Sequence, residues 1–574
     1  MATSERTPLR NSIHGRSSYC ARVFRFQIQF AMAWIGFATA ACAESAHLSL
    51  AEGFGASDYD AARVVTVDTD GNIYVMGEFS ETVDFAPGPD TRWRASRGKW
   101  DVFLQKINSE GSLVWVRTFG GIVWDYASGI AIDDAGNVFL TGYYRGTMDA
   151  DPGPGTFTLP EADLVNTFLI KLNAEGNFEW AGALGRTGSA FADDIVLNPS
   201  GNLFIAGTFY QTVDFDPSED SAFRTSLGEY DLFVCEFDSA GNFLWVTSTG
   251  DTGFDYVRDL DVDSLGNVYI VGEFEGTVDF DPSEAVSELE SGSSDSMFVW
   301  KLNPEGDFVW ARSVPAYTAY GIALDGDGNA VVTGSFVGTV DFDPGPEVTE
   351  LTEEGAGGNA YVLKLDSNGD FLWAGSLGGD EDDESRAIAT DGDGSVYTTG
   401  KFSGTADFDP GPEVASLTSY DSNDDIYISK LSADGEYRWA HAFGGVWDDE
   451  GIDIAVDADG NPFTVGSFFY TVDFDPGAGE LLLQGEGGSD AFLLGLVCCR
   501  YLDEAWVDFG FDGAGDGSES APFNALDDAV TAVSDFGTVI VKGDSTTTSS
   551  PETVLIRRPM LLESTGGSIQ IGTP

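Results

Sequence analysis

A Thr-Val-Asp-Phe motif returning every 62–66 residues, a tryptophan keeping the same beat, and four short strands per period predict an all-β chain. Together they specify a seven-bladed β-propeller of four-stranded antiparallel blades. The aspartates of the motif and its variants are Asp84, Asp149, Asp214, Asp279, Asp341, Asp407 and Asp473, at intervals of 65, 65, 65, 62, 66 and 66 residues. Trp115, Trp180, Trp245, Trp310, Trp373 and Trp439 recur in step. Seven units therefore fill residues 48–497.

The fourth unit shows how a period is built. Runs at 257–262 and 268–273 flank the turn Asp263-Ser264-Leu265-Gly266-Asn267; runs at 297–302 and 308–313 flank Asn303-Pro304-Glu305-Gly306. β-Branched, aliphatic and aromatic residues fill the runs, while Gly, Asn and Asp bound them, as expected of strands and hairpin turns. Asx-x-x-Gly turns recur at 68–71, 133–136, 238–241 and 457–460, where glycine can take the left-handed conformation a bulged hairpin requires. The seventh unit has a third strand, Ala491-Phe492-Leu493-Leu494, but no fourth with its tryptophan. Leu50-Ala51-Glu52-Gly53-Phe54-Gly55 matches Trp115-Val116-Arg117-Thr118-Phe119-Gly120 at an offset of 65. This segment is therefore expected to supply the missing outer strand and remove two open sheet edges.

Segments such as Gly129-Ile130-Ala131-Ile132-Asp133-Asp134-Ala135-Gly136-Asn137-Val138-Phe139-Leu140-Thr141-Gly142 resemble the SBBP-type β-propeller repeats of secreted bacterial proteins. The resemblance extends over about 450 residues and implies the propeller architecture. It brings no general catalytic residues to carry over.

At the amino terminus, Arg6, Arg10, Arg16, Arg22 and Arg25 stand against Glu5 and precede an apolar run at 30–37. The tract Ala38-Thr39-Ala40-Ala41-Cys42-Ala43 follows. These features mark residues 1–43 as a secretory signal peptide, so export to the cell surface or medium of a bacterium is expected. Lipid attachment at Cys42 is the other reading, against which Thr39 fits an apolar lipobox position poorly. No later segment reaches transmembrane length.

From Trp506 the repeat stops, after a linker at 498–505. Asp512-Gly513-Ala514-Gly515-Asp516-Gly517 leads to a short helix capped by Asn524, with Leu526, Ala529, Val530 and Val533 on one face. Strands are expected at 538–542, 553–556 and 568–571. Residues 506–574 thus resemble the start of a pectin-lyase-like right-handed parallel β-helix, incomplete because a solenoid needs several stacked rungs. Polysaccharide-lyase chemistry is what that resemblance implies for a whole solenoid.

With 95 acidic residues against 28 Lys and Arg, the chain carries a formal charge of −67 and a pI near 4.1. Such a balance excludes a nucleic-acid partner, whose phosphates demand a basic surface, and argues against anionic lipid. A monomer with a protein or glycan ligand is the expected arrangement. Of the cysteines past residue 43, Cys235 lies in an apolar run and reads as a buried small hydrophobe. Cys498 and Cys499 offer no disulfide framework.

Asp-x-Asp pairs are the most suggestive chemistry: Asp149 with Asp151, Asp214 with Asp216, Asp279 with Asp281, Asp341 with Asp343, Asp407 with Asp409 and Asp473 with Asp475. Extended geometry puts i and i+2 on one side, so both carboxylates converge while the residue between faces the other way. Two readings stand. Paired carboxylates with loop carbonyls suit Ca²⁺; alternatively, each Asp accepts backbone N–H bonds while Pro-Gly redirects the chain. No spacing matches a complete Ca²⁺ loop, which favours the turn.

A second set lies 24 residues before the motif aspartates: Asp60, Asp125, Asp255, Asp383 and Asp449. Aromatics accompany it in Trp124-Asp125-Tyr126, Phe254-Asp255-Tyr256 and Trp447-Asp448, a combination suited to sugars or cations. A solvated acidic rim with aromatics wedged between blades is the competing reading. The leading expectation is a non-catalytic binding or scaffold protein. Its alternative is an extracellular glycosidase or polysaccharide lyase, although neither His47 nor His441 sits in a nucleophile motif.

Overall fold

The computed structural model describes residues 45–499, apart from 87–90, 186, 293–294, 354, 356 and 478, together with three strands nearer the carboxyl terminus. The signal-peptide reading of 1–43 lies outside the described residues. The chain divides into two compact units, one spanning 48–497 and the other containing 498–574.

The first unit is a seven-bladed propeller. Blade 1 runs outward from the axis as Ala61–Val67, Ile73–Phe79, Asp101–Ile107 and Leu113–Gly121, each strand antiparallel to the last. The later inner strands are Asp125–Ile132, Ser189–Leu197, Tyr256–Val262, Thr318–Leu324, Asp383–Thr390 and Glu450–Val456. Each touches the next and the seventh touches the first, so the ring closes. Among the described residues the one helical element is a 3-10 turn, Tyr420–Ser422.

The closure follows the expected route. Leu482–Cys499 lies between Pro462–Asp473 and Ser45–Phe54, so an early strand completes the last blade. Phe54 carries the seam into blade 1, its ring 5.5 Å from Phe85 and 5.3 Å from Phe103. Leu50 takes the tryptophan position: a Cβ on Gly111 of blade 1 would stand 3.4 Å from Leu50 Cδ1.

Each blade core is a short aromatic stack. Phe280, between Asp279 and Asp281, is fully buried against Phe274 and Phe298 at 5.5 and 5.2 Å. Phe85, Phe215, Phe342, Phe408 and Phe474 repeat this, while blade 2 has Ala150.

Blades are joined at their hairpin end by indoles and lysines. A Cβ placed on Gly241 or Gly435, both at φ +82°, would lie 3.1 Å from Trp180 or 2.9 Å from Trp373 of the preceding blade. The tryptophans therefore serve blade-to-blade packing. Trp373 Nε1 and the buried Lys364 Nζ both donate to Ala433 O of the next blade, and Lys364 pairs with Asp325 at 2.8 Å. At these hairpins Asp325 Oδ1 accepts the Asp327 and Asn329 amides, each at 3.0 Å, and Gly328 has φ +78°. The carboxylate is spent on the turn.

Every inner strand also carries a β-bulge that its sequence did not announce. The extra residues are Arg63, Ser128, Asp193, Arg258, Tyr320, Arg386 and Ile452, one per blade. A bulge re-aims its side chain and raises local twist.

In the second unit, Leu502–Val507, Val533–Val541 and Leu561–Ser564 form a three-stranded parallel sheet in chain order. The first begins inside the segment read as a linker. Val533, expected to end a helix, opens a strand that also takes in most of 538–542. Leu561–Ser564 was not anticipated, and the expected helix from Asn524 and strands at 553–556 and 568–571 lie outside the described residues.

Candidate ligand-binding face

Antiparallel alternation puts the loops between second and third strands, and the connections between blades, at one end of the ring. The Asp-x-Asp loops and the aromatic-acid connections share that face.

The loops are nested backbone turns. Asp407 Oδ1 accepts the Asp409 amide at 3.0 Å and the Ala415 amide at 2.7 Å, while Asp409 Oδ1 takes Gly411 N at 2.8 Å. Asp149, Asp214, Asp279, Asp341 and Asp473 repeat the first role, each accepting the amides two and eight residues on. The second role falls to Asp151, Asp343 and Asp475, whose Oδ1 atoms accept Gly153 N, Gly345 N and Gly477 N at 2.8, 2.7 and 2.8 Å. Asp216 and Asp281 accept Ser218 N and Ser283 N in the same way, both at 2.9 Å.

These are the hydrogen bonds the turn reading requires. Among the described residues no three acidic, His or Cys side chains gather as a metal site. Each member of a pair turns one oxygen toward a different amide of its own loop. As a donor set for Ca²⁺, each loop brings two carboxylates with one oxygen apiece already engaged, short of the six to eight oxygens the ion takes. Asp216 and Asp281 also line side cavities of about 410 and 460 Å³, beside Trp180 and Trp245.

The aspartates of the connections point inward. Asp125 and Asp255 are fully buried; their Oδ2 atoms accept Gly121 N at 2.8 Å and Asp251 N at 3.0 Å. Asp60, Asp383 and Asp449 make the same bond four residues back. Burial pushes these acids up, Asp125 and Asp449 to about 8 and Asp60, Asp255 and Asp383 to about 7. They hold blades together. Asp448, by contrast, is exposed.

Their aromatic neighbours face outward and join. Tyr59, Trp100, Tyr126, Tyr143, Phe191, Tyr230 and Tyr256 form a chain of ring contacts across blades 1 to 4, with centroids 4.8–6.0 Å apart. Phe254 stacks on Tyr256 at 6.2 Å. Trp124 bridges to Trp100 through the backbone and lies under Lys99 and Arg145. Trp447, exposed, contacts Tyr470 at 5.7 Å, with no ring contact to the arc among the described residues. Trp100 and Tyr230 escaped the sequence reading, yet the signal was there: each precedes an aspartate, as Trp124 does, but before a third strand.

Charges around the axis were not foreseen. Arg63 pairs with Glu78, Arg258 with Glu273, and Arg386 with Glu384 and Glu450, while Arg386 also lies over Tyr320 at 4.6 Å. Deeper along the inner strands, Asp259 accepts Ile322 N and Asp453 accepts Val65 N, both at 2.8 Å, stitching one blade to the next. Desolvation pushes Asp259 and Asp453 up to about 7 and Asp193 to about 8.

No family model matches the chain. It is 22% identical over 483 residues to an uncharacterised WD repeat-containing protein of Acanthamoeba polyphaga mimivirus, covering 70% of this chain and 35% of that protein. It is 24% identical over 225 residues to the regulatory protein FlaEY of Caulobacter vibrioides, covering 38% and 22%. The chain therefore spans about a third or less of the length of these relatives. Among solved structures, the Dos1 propeller aligns at TM-score 0.37 and 9% identity, covering 78% of this chain and 95% of that one. Sqt1 from Chaetomium thermophilum aligns at 0.35 and 10%, covering 79% and 99%. The molecule is a seven-bladed β-propeller with a WD-repeat-containing relative.

Proposed function

We propose that the protein is an exported, non-catalytic binding or scaffold module. It uses the face bearing the connections and Asp-x-Asp loops to hold a protein or glycan ligand. The observation that carries this reading is the half-exposed aromatic arc from Tyr59 to Tyr256. Flat rings beside carboxylates grip sugar faces and cationic or apolar side chains. Arginines around the axis are paired to acids, so the face offers little to an anion. Export rests on the features of residues 1–43, and the repeats keep their resemblance to the SBBP type. The parallel strands of the second unit suit the first rungs of a β-helix.

Titration calorimetry against neutral oligosaccharides and basic peptides tests this. Binding should weaken at least tenfold in Tyr126→Ala and Tyr256→Ala variants with an unchanged melting temperature. An unaltered affinity would remove the arc from the site. Calcium as an organiser of the Asp-x-Asp loops is tested alongside: a melting temperature that rises with Ca²⁺, and less so in Asp407→Asn, supports it. The glycoside-cleaving alternative draws on the raised acids Asp193 and Asp259. It requires turnover that a single Asp→Asn change abolishes.

A further inference from the structure

The outer strands of the blades differ at one position, where some carry a basic group and others leave space. Two residues after the recurring tryptophan stand Arg117, Gly182, Thr247, Arg312, Gly375 and His441. Arg117 lies over the Trp115 ring at 5.1 Å, Arg312 over Trp310 at 5.5 Å, and the His441 ring is 5.3 Å from Trp439. The two guanidinium groups are held alike by the hairpin of the following blade. Arg117 Nε donates to Gly176 O at 2.6 Å and its Nη2 to Glu175 O at 2.8 Å. Arg312 Nε donates to Gly369 O at 3.0 Å and its Nη2 to Asn368 O at 3.1 Å. Each Nη1 turns back to the carbonyl of the residue before it, Val116 O or Ala311 O.

At Gly182 the same surroundings enclose a cavity of about 410 Å³. Trp180, Ala181, Ala240 and Gly241 line it and correspond, 65 positions on, to Trp115, Val116, Glu175 and Gly176 around Arg117. Gly241 lies against Trp180 as Gly176 lies against Trp115, a Cβ on either glycine standing 3.1 or 3.0 Å from the ring. Ring and hairpin carbonyls therefore keep their relative places. The loop of blade 3 adds two acids, the buried Asp216 and the exposed Asp220. Among the described residues that line the cavity there is no Lys, Arg or His. Its volume falls in the range of ligand pockets, about 300–1,000 Å³.

We propose that this cavity, between blades 2 and 3 beside an outer strand, receives an arginine side chain from a partner protein. The guanidinium takes the pose of Arg117. It lies against Trp180 and donates from Nε and one terminal nitrogen to Gly241 O and Ala240 O, while Asp216 and Asp220 supply the counter-charge. A guanidinium presents donors side by side and stacks on an indole, whereas the lysine ammonium is a compact point charge. Asp220, exposed at the cavity, repels the α-carboxylate of free arginine, so a residue within a peptide chain fits better than the amino acid.

Neighbouring junctions set the limits of the site. The cavity of about 460 Å³ beside Trp245 already has a cation next to it, because Arg224 Nη2 donates at 2.6 Å to Val246 O, the counterpart of Val116 O. At Gly375 the loop proline comes closer: a Cβ there would stand 2.6 Å from Pro410 Cβ, against 3.2 Å from Pro217 Cβ at Gly182. No ring of the aromatic arc lines the cavity beside Trp180, so this site does not depend on the ligand proposed for the face of the connections.

Titration calorimetry of the full chain in about 0.15 M salt tests the site, with end-blocked Gly-Arg-Gly, Gly-Lys-Gly and Gly-citrulline-Gly peptides and free L-arginine as probes. The Arg peptide should bind about tenfold tighter than the Lys peptide and the free amino acid, and the uncharged citrulline peptide should not bind. Gly182→Arg, which fills the cavity with a guanidinium of the chain's own, should abolish binding of the Arg peptide. Because that variant must push Pro217 aside, Asp220→Lys gives a second route. It should weaken binding about tenfold, while Asp459→Lys, at an exposed turn of blade 7, leaves it unchanged. Equal binding of the Arg and Lys peptides, or equal losses in Asp220→Lys and Asp459→Lys, overturns the proposal in favour of bulk charge. A folded Gly182→Arg chain that binds the Arg peptide like the parent also overturns it and moves the peptide elsewhere, the aromatic arc included. So does free L-arginine matching the peptide, which would make the occupant a small guanidino compound.

Discussion

At the hairpin end of the ring, blade meets blade through Trp373 lying against Gly435 and through Lys364, which answers Asp325 and Ala433 O together. At the opposite end blades meet through Asp125, Asp255 and Asp449, buried acids that accept main-chain amides four residues back. One end pairs its buried acids with cations; the other leaves them to backbone amides. A single 65-residue design thus yields one junction whose acid is held low by a lysine and one whose acids are pushed up by burial. That second end also bears the aromatic arc.

The contrast can be broken most severely where the two ends share the closing seam. Phe54→Ala removes a buried ring packed on Phe85 and Phe103 and should cost about 3–5 kcal/mol in urea unfolding. At the hairpin end, Lys364→Met strands Asp325, itself held below the usual carboxylate range by Lys364 and Asn329 despite burial. A loss of about 3–5 kcal/mol, equal at pH 6 and pH 8, is expected there, and a strongly pH-dependent loss would erase the difference between the ends. Gly435→Ala forces both a positive φ and an approach to the Trp373 ring, for about 1–3 kcal/mol. Asp407→Ala frees two loop amides and should cost about 1–3 kcal/mol without Ca²⁺. Trp447→Ala, exposed on the face of the connections, should stay within about 0.5 kcal/mol of the parent.

The period of the Asp and Trp positions was enough to read blade number, strand order and the closing partner, because a repeated register leaves few topologies. Leu50 could be aligned with Trp115 although the residue types differ. The bulges were illegible: nothing distinguishes Arg63 from its neighbours until its strand is paired. The spacing of Asp149 and Asp151, or of Asp473 and Asp475, says that two carboxylates are near one another but not which amides claim their oxygens. Asp125 and Trp124 were found together but divide their labour, since adjacent strand residues face opposite ways. The network from Glu78 through Arg63 to Tyr59 joins side chains of two strands and a connection, proximity that spacing alone does not reveal.

At the seam Asp60 N donates to Ser489 O, 429 positions away, and the Ser489 hydroxyl donates back to Asp60 O. A ribosome making this chain releases the clasping strand long before its mate exists. Until the seventh sector arrives, six others present a raw flank at each end, open to pairing with neighbouring molecules. Completion of the ring must therefore await nearly the whole propeller, and dilution or a holding chaperone should decide how many nascent copies finish as circles rather than as chains of one another.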